Sequence, residues 1–190
     1  MKEERYADNL RFFRTSEKVF ESSEPIYYPD DEVTLRLISY YPYQEEGVNM
    51  GESTMSVAVE TDQNLSAGYF CSDFLVASQN LQSAPKGAIA LHYDHKFFKL
   101  KIALVGKEGE ELQGILDADP KLSVCGFYTK AIYDFQKETY SAFSNEKSIT
   151  PAGKWEIQGD RLSGKEVILI PQETTLGYQY IVLDVGGKIY

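Results

Sequence analysis

The sequence predicts an all-β fold, a sandwich or barrel of about seven strands or more with little helix. Three observations carry this: apolar and polar residues alternate with period two in segment after segment, turn-forming residues recur between those segments, and no stretch holds apolar spacing of 3.6 residues over three turns. The aromatic content agrees, with 14 Tyr, 10 Phe and 1 Trp among 190 residues. Tyrosine suits a pleated, half-buried surface, apolar along its ring and wet at its tip.

Taken in chain order, "VTLRLISYY" alternates Val33, Leu35 and Leu37 with Thr34 and Arg36. "MSVAVE" puts Met55, Val57 and Val59 on one face, and "AIALHY" does the same with Ile89, Leu91 and Tyr93. In "FKLKIAL", Phe98, Leu100, Ile102 and Leu104 face one way, with Lys99, Lys101 and Ala103 opposite. Strict alternation marks strands with one buried face. "KLSVCGF", "EVILIP" and "YQYIVLDV" are β-branched and aromatic and end in Gly or Pro, so they predict further strands. "YPDDE", "QEEG", "GKEGEE", "DADP", "TPAGK" and "DVGGK" supply turns between them. "VGGKIY" predicts a two-residue hairpin, because both glycines adopt positive φ cheaply. The one helical expectation is a single turn in "AIYDFQKET". There is no internal repeat, low-complexity segment or linker, which predicts one domain over residues 1–190.

With 19 basic and 29 acidic residues, the net charge is −10, which repels phosphate backbones and anionic lipid and excludes nucleic-acid binding. No stretch approaches the roughly 20 apolar residues of a membrane helix. "MKEERYADNL" carries no secretory-type hydrophobic core, so either the protein is cytosolic or a targeting segment is absent from this chain. Cys71 and Cys125 are expected to be separate buried thiols; paired, they would close a long loop worth about 4 kcal/mol.

Chemistry is sparse. In "LHYDHKFFKLKIAL", His92 and Asp94 share one face of a strand while His95 points to the other, and the chain holds only 2 His. Zinc needs three or four ligands converging on one point, so a strand end is expected rather than a metal site. "DADP" (Asp117, Asp119) and "YPDDE" (Asp30, Asp31, Glu32) lack the ligand pattern of calcium loops and are expected as turns. No G-x-S-x-G elbow or glycine-rich phosphate loop is present, and Cys125 lies inside a strand pattern. The 29 acids alone carry no information about paired-carboxylate catalysis. "IYYP" and "SYYPY" concentrate five tyrosines in positions 27–43, either a contact surface or the rim of a Tyr-rich core.

In order along the chain, "EPIYYPDDEVTLRLISYYPY", "SDFLVAS", "LHYDHKFFKLKIAL", "LSVCGFYTKAIYDFQKETYSAF", "ITPAGKWEI" and "VILIPQ" resemble the fimbrillin-like family of Bacteroidales surface and pilus proteins. The matching features include a strand ending in Tyr-Tyr-Pro-Tyr, a strand carrying His95, Lys99 and Leu100, and Ile170-Pro171-Gln172 before the last hairpin. The resemblance covers about residues 24–190 and leaves 1–23 as a poorly matched lead-in.

The resemblance implies a transthyretin-like Greek-key β-sandwich, the N-terminal type of domain, with the C-terminal pilin domain absent. It implies a non-catalytic structural component of cell-surface fimbriae or a related surface lipoprotein at the outer membrane. Such a protein takes no cofactor and binds other fimbrial subunits by strand exchange, and a host or bacterial surface ligand is a further partner. The chain ends three residues past Gly187, so the edge of the last hairpin, Ile181, Leu183, Val185 and Ile189, is expected to stay largely unpaired and to meet a neighbour. Two rival functions remain. A carbohydrate- or matrix-binding adhesin would use exposed aromatics at Tyr41, Tyr43 and Trp155; a hydrolase on a β scaffold would need two acids in one cleft.

Overall fold

Met55, Val57 and Val59 are 1%, 1% and 5% exposed, so the alternation of "MSVAVE" does set a buried strand face. This computed structural model describes residues 7–17, 19–28, 34–83 and 85–190. The expected "YPDDE" turn, and Val33 with it, lies outside the described residues. The described chain forms fourteen strands and two six-residue helices.

In order these are β1 (Phe12–Ser16), β2 (Val19–Ser22), β3 (Leu35–Tyr41), β4 (Val48–Asn49), β5 (Thr54–Ala58), α1 (Ser66–Cys71), β6 (Leu75–Leu81), β7 (Asp94–His95), β8 (Phe98–Val105), α2 (Leu112–Asp117), β9 (Lys121–Asp134), β10 (Thr139–Ile149), β11 (Glu156–Gln158), β12 (Arg161–Leu169), β13 (Ile181–Val185) and β14 (Lys188–Ile189). The largest sheet runs β14-β13-β9-β5-β4, with β10 also paired to β9; β3-β6-β7 and β11-β12-β8 form two three-stranded sheets. Neighbours such as β5 and β9, or β8 and β12, are far apart in sequence, so the chain crosses between sheets repeatedly. β1 and β2 form a two-stranded sheet of their own, and one buried cluster draws on the other three sheets: Val57 and Val124 from the large one, Val76 from the second, and Ile102 and Val167 from the third. The fold is thus an all-β sandwich, as the sequence predicts.

The fourteen-residue β9 is the spine. Its buried residues are Leu122 and Val124, then Phe127, Thr129, Ala131 and Tyr133, so the inward phase slips by one between Val124 and Phe127. Gly126, at φ +73°, takes up the extra residue where the register with β10 shifts, a bulge only glycine adopts cheaply. A Cβ there would lie 2.3 Å from the Tyr178 ring.

The edge of β12 turned away from β8 is closed group by group. β11 pairs with its first residues, Ala152 exchanges backbone bonds with Glu166 at 2.8 and 3.1 Å, and Ile168 finds a side chain in place of a strand. The Gln63 amide accepts from Ile168 N–H and donates to its carbonyl, both at 2.8 Å. Gln63 itself is fully buried. Gln172 does the same for Tyr128, accepting from its N–H at 2.9 Å and donating to its carbonyl at 3.0 Å. The glutamine of "VILIPQ" is therefore a surrogate strand.

Several local expectations are corrected. "AIALHY" alternates but forms no strand: only Asp94 and His95 pair, with Val76 and Leu75, and Ile89 to Tyr93 lie outside any ladder, although β6 continues past Val76. "AIYDFQKET" makes no helical turn; it is the β9–β10 hairpin, closed by the Asp134 carboxylate accepting from the Gln136 and Lys137 N–H groups at 2.8 and 2.9 Å. These bonds, Lys137 first, hold the Asp134 carboxyl below the usual carboxylate range. Helices α1 and α2 escape a periodicity search because six residues are under two turns. Cys71 and Cys125 are both free, yet Cys71 is exposed and Cys125 half-buried, since each sits where its element faces outward. Gly186 and Gly187 have φ of 59° and 87°, the twin positive values of the expected hairpin turn.

Candidate functional site

Tyr40 and Tyr41 are neighbours on β3, and strand alternation sends them opposite ways. The Tyr40 ring turns inward to Phe135, 6.0 Å between centroids, and its hydroxyl donates to Asn9 and to the Gln44 carbonyl. Burial, ahead of all other causes, raises its pKa. Asn9, at φ +48°, also donates from Nδ2 to the Gln44 carbonyl at 2.9 Å and so fastens the chain before β1 to the corner after β3. Asparagine tolerates the left-handed backbone that this docking requires.

That attachment swings the β1–β2 hairpin across the end of β3. Its register pairs Phe12 with Ser22 and Arg14 with Phe20, which places Phe12 and Phe20 on one face. Tyr41, Tyr43, Phe12 and Phe20 then meet with Arg11 and Glu45 around a shallow, open groove of about 510 Å³. The four rings are 44%, 38%, 48% and 58% exposed, which makes this a surface site rather than core rim. The Arg11 guanidinium lies 4.9 Å from the centre of the Phe13 ring and 5.4 Å from that of Tyr43, a cation–π stack across the groove wall. Among the described residues none takes up the Tyr41 or Tyr43 hydroxyl, the Glu45 carboxylate or the Arg11 N–H groups.

Trp155, the third aromatic expected at this surface, is elsewhere. It packs against the core and donates from Nε1 to the Pro120 carbonyl at 2.8 Å, beside the first residue of β9, whereas Tyr40 marks the other end of that strand. The structure therefore joins Tyr41 and Tyr43 but separates both from Trp155. It adds Phe12, Phe20 and Arg11, which the lead-in position of residues 1–23 concealed; the only sequence signal was the unexplained "RFFR".

The expected edge at the chain's last hairpin also differs. On one side of β13, Ile181 to Asp184 pair with Val124 to Lys121 on β9; on the other, Asp184 and Val185 pair with β14, and among the described residues no strand pairs there with Ile181 or Val182. Leu183 exchanges two further backbone bonds with Tyr190, at 2.8 and 3.2 Å. Ile181, Leu183 and Val185 share one face, since Val124 and Leu122 stand opposite the first two; Leu183 packs on the core, while Ile181, at the strand end, is 41% exposed. Ile189 stands opposite Asp184, on the outward face, 62% exposed. The sheet edge here is β14, with Ile181 beyond its reach.

His92, Asp94 and His95 do not converge. His95 Nδ1 lies 2.7 Å from Asp73, while Asp94 is 3.9 Å from the Lys96 ammonium. Among the described residues no group of three or more His, Cys, Asp or Glu is placed to hold a metal ion. A second shallow cleft, lined by Lys101, Ser163, Gly164, Lys165 and Glu166, carries one carboxylate, as does the aromatic groove. The Tyr69 hydroxyl and Lys99, 3.4 Å away, both engage Glu166, and the Tyr69 bond leads in holding its carboxyl below the usual range. No helix among the described residues is long and apolar enough to cross a membrane.

The whole chain has recognisable kin. The family model described as fimbrillin-like matches residues 1–190, which takes in the first 23 as well. Two solved structures share the fold, each titled a "putative cell adhesion protein". The one from Bacteroides uniformis ATCC 8492 has a TM-score of 0.63 and 21% identity, over 95% of this chain and 68% of that one. The one from Bacteroides ovatus ATCC 8483 has a TM-score of 0.62 and 15% identity, over 90% of this chain and 62% of that one. No curated protein matches significantly. With crossing sheets, a surrogate-strand Gln172 inside the quoted "VILIPQ" and a family match from first residue to last, the chain belongs to the fimbrillin-like family.

Proposed function

We propose that the chain is a non-catalytic structural subunit of cell-surface fimbriae, or of a related surface lipoprotein, that joins other subunits through strand edges. The family match over residues 1–190 is the observation that carries it. The adhesion titles of the two structural neighbours support a surface location. An open edge supports the mode of assembly: β14 pairs with β13 on one side only, and an incoming strand laid along it would find backbone groups and the exposed Ile189.

The test has two parts. Antibody and protease added to intact cells expressing the gene should reach the chain. Incubation with other subunits should then give ladders that Ile189→Pro shortens, since proline removes a backbone donor from the edge. A chain protected inside intact cells would overturn the surface role.

A second reading, an adhesin module, is favoured by the aromatic groove at Tyr41 and Tyr43. Trp155, the third aromatic proposed for such a surface, has no part in that groove. A hydrolase finds less support, because each of the two clefts holds one carboxylate.

A further inference from the structure

The groove between the β1–β2 hairpin and the corner after β3 has the makings of a ligand site. Its size, about 510 Å³, lies within the roughly 300–1,000 Å³ of small-molecule sites. Four aromatic side chains from three separate segments, Phe12, Phe20, Tyr41 and Tyr43, surround it. The polar groups it offers are side-chain tips of both kinds: donors on Arg11, an acceptor on Glu45, and two phenols that do either. By contrast the hydroxyls of Tyr28, Tyr40, Tyr69, Tyr93 and Tyr140 are bonded within the fold.

We infer that this groove binds a neutral oligosaccharide, with Tyr43 and Phe20 as stacking faces and Arg11 and Glu45 as the hydroxyl-reading pair. A pyranose presents an apolar C–H face beside a rim of hydroxyls, each donor and acceptor at once. Aromatic faces flanked by one cation and one anion match that pattern. The Arg11 stack on Phe13 and Tyr43 fixes the guanidinium plane, so its N–H groups are already oriented and little rotamer freedom is lost on binding. Charge selects against acidic sugars, because Glu45 lines the groove, Glu46 follows it, and the chain carries −10 overall.

This inference rests on the surface role proposed above, and the test separates the two. The full chain is titrated with neutral hexaoses of glucose, mannose and N-acetylglucosamine, and with a sialylated oligosaccharide, by calorimetry. At least one neutral hexaose should bind. Tyr43→Ala and Phe20→Ala should each weaken that binding tenfold or more and Glu45→Gln severalfold, with unchanged circular dichroism and melting. Trp155→Phe should bind as the parent does. Failure of every neutral hexaose at millimolar concentration, preference for the sialylated sugar, or binding indifferent to Tyr43 and Phe20 would overturn the proposal. So would a concentration-dependent dimer in sedimentation equilibrium that Phe20→Ala dissolves, which would assign the groove to a second copy of the chain. If the chain is surface-exposed in cells and no sugar binds, only the groove assignment falls.

Discussion

Tyr133 offers a test in which removing an oxygen should strengthen the fold. The residue is 1% exposed, its ring centroid 5.1 Å from Phe74, 5.3 Å from Phe135 and 5.1 Å from Tyr140. Its hydroxyl has no hydrogen-bond partner among the described residues. In the unfolded chain the same hydroxyl is hydrated, so folding removes water from it without replacement, which costs about 1–3 kcal/mol. Tyr133→Phe keeps the ring and its edge-to-face contacts and should raise stability by about 1–2 kcal/mol. In a chain of this length that is about 2–8 °C in Tm. Tyr140→Phe is the matched control, because the Tyr140 hydroxyl donates to the Lys96 carbonyl; its loss should cost about 1 kcal/mol.

Alkali gives an independent reading. Burial pushes the Tyr133 phenol up to about 12, so the neutral form is the one the fold favours. The unfolded phenol ionises near pH 10, so below that pH the titration of Tyr133 leaves stability unchanged. As pH rises from there to about 12, ionisation favours the unfolded chain and stability falls. Tyr133→Phe should flatten this alkaline limb in urea midpoints measured at a constant m-value. A Tyr133→Phe protein less stable than the parent by more than about 0.5 kcal/mol would refute the reasoning, since it would mean that the hydroxyl is bonded.

Gly126→Ala should destabilise by about 1–3 kcal/mol, because φ +73° disfavours a side chain and the new Cβ meets Tyr178; pairing it with Tyr178→Ala should restore only the steric part, in urea unfolding of all four proteins. Gln63→Leu should cost about 2–5 kcal/mol, since it leaves the Ile168 N–H and carbonyl buried and unpaired; Gln63→Glu should also destabilise, because a carboxylate cannot donate to that carbonyl. Asp134 has a depressed carboxyl pKa, so its contribution is present above the ordinary carboxylate value and fades as pH falls; Asp134→Asn should flatten the acid limb of a melting-temperature profile.

The sequence disclosed what is periodic and local. Met55, Val57 and Val59, or Leu100 and Ile102, could be assigned a face because the pleat repeats every two residues. The same rule misled at Ile89, Leu91 and Tyr93, where alternation is present but no ladder forms, and strands are made by partners as much as by pattern. It could not place the slip at Gly126, which depends on a tyrosine far along the chain. Nor could it show the burial of Gln63, whose partner Ile168 is 105 residues distant. At the groove, Tyr41 and Tyr43 were legible as a cluster of aromatics near a proline. Phe12 and Phe20 were not, because it is contacts distant in sequence, the Asn9 anchor and the Arg11 stack on Tyr43, that bring the hairpin to them.

Gln63 and Gln172 change how the boundaries of this sandwich should be understood. A ladder closes chemically wherever a strand has no groups left to offer, and here two amides use up those of Ile168 on β12 and of Tyr128 on the interior strand β9. These positions are stoppered without the bulk of an extra strand or the repulsion of a charged edge. The distinction between shut and open edges in this chain is therefore drawn at the scale of one functional group. At either position, exchanging one glutamine for an apolar residue would leave one backbone N–H and one carbonyl without a partner.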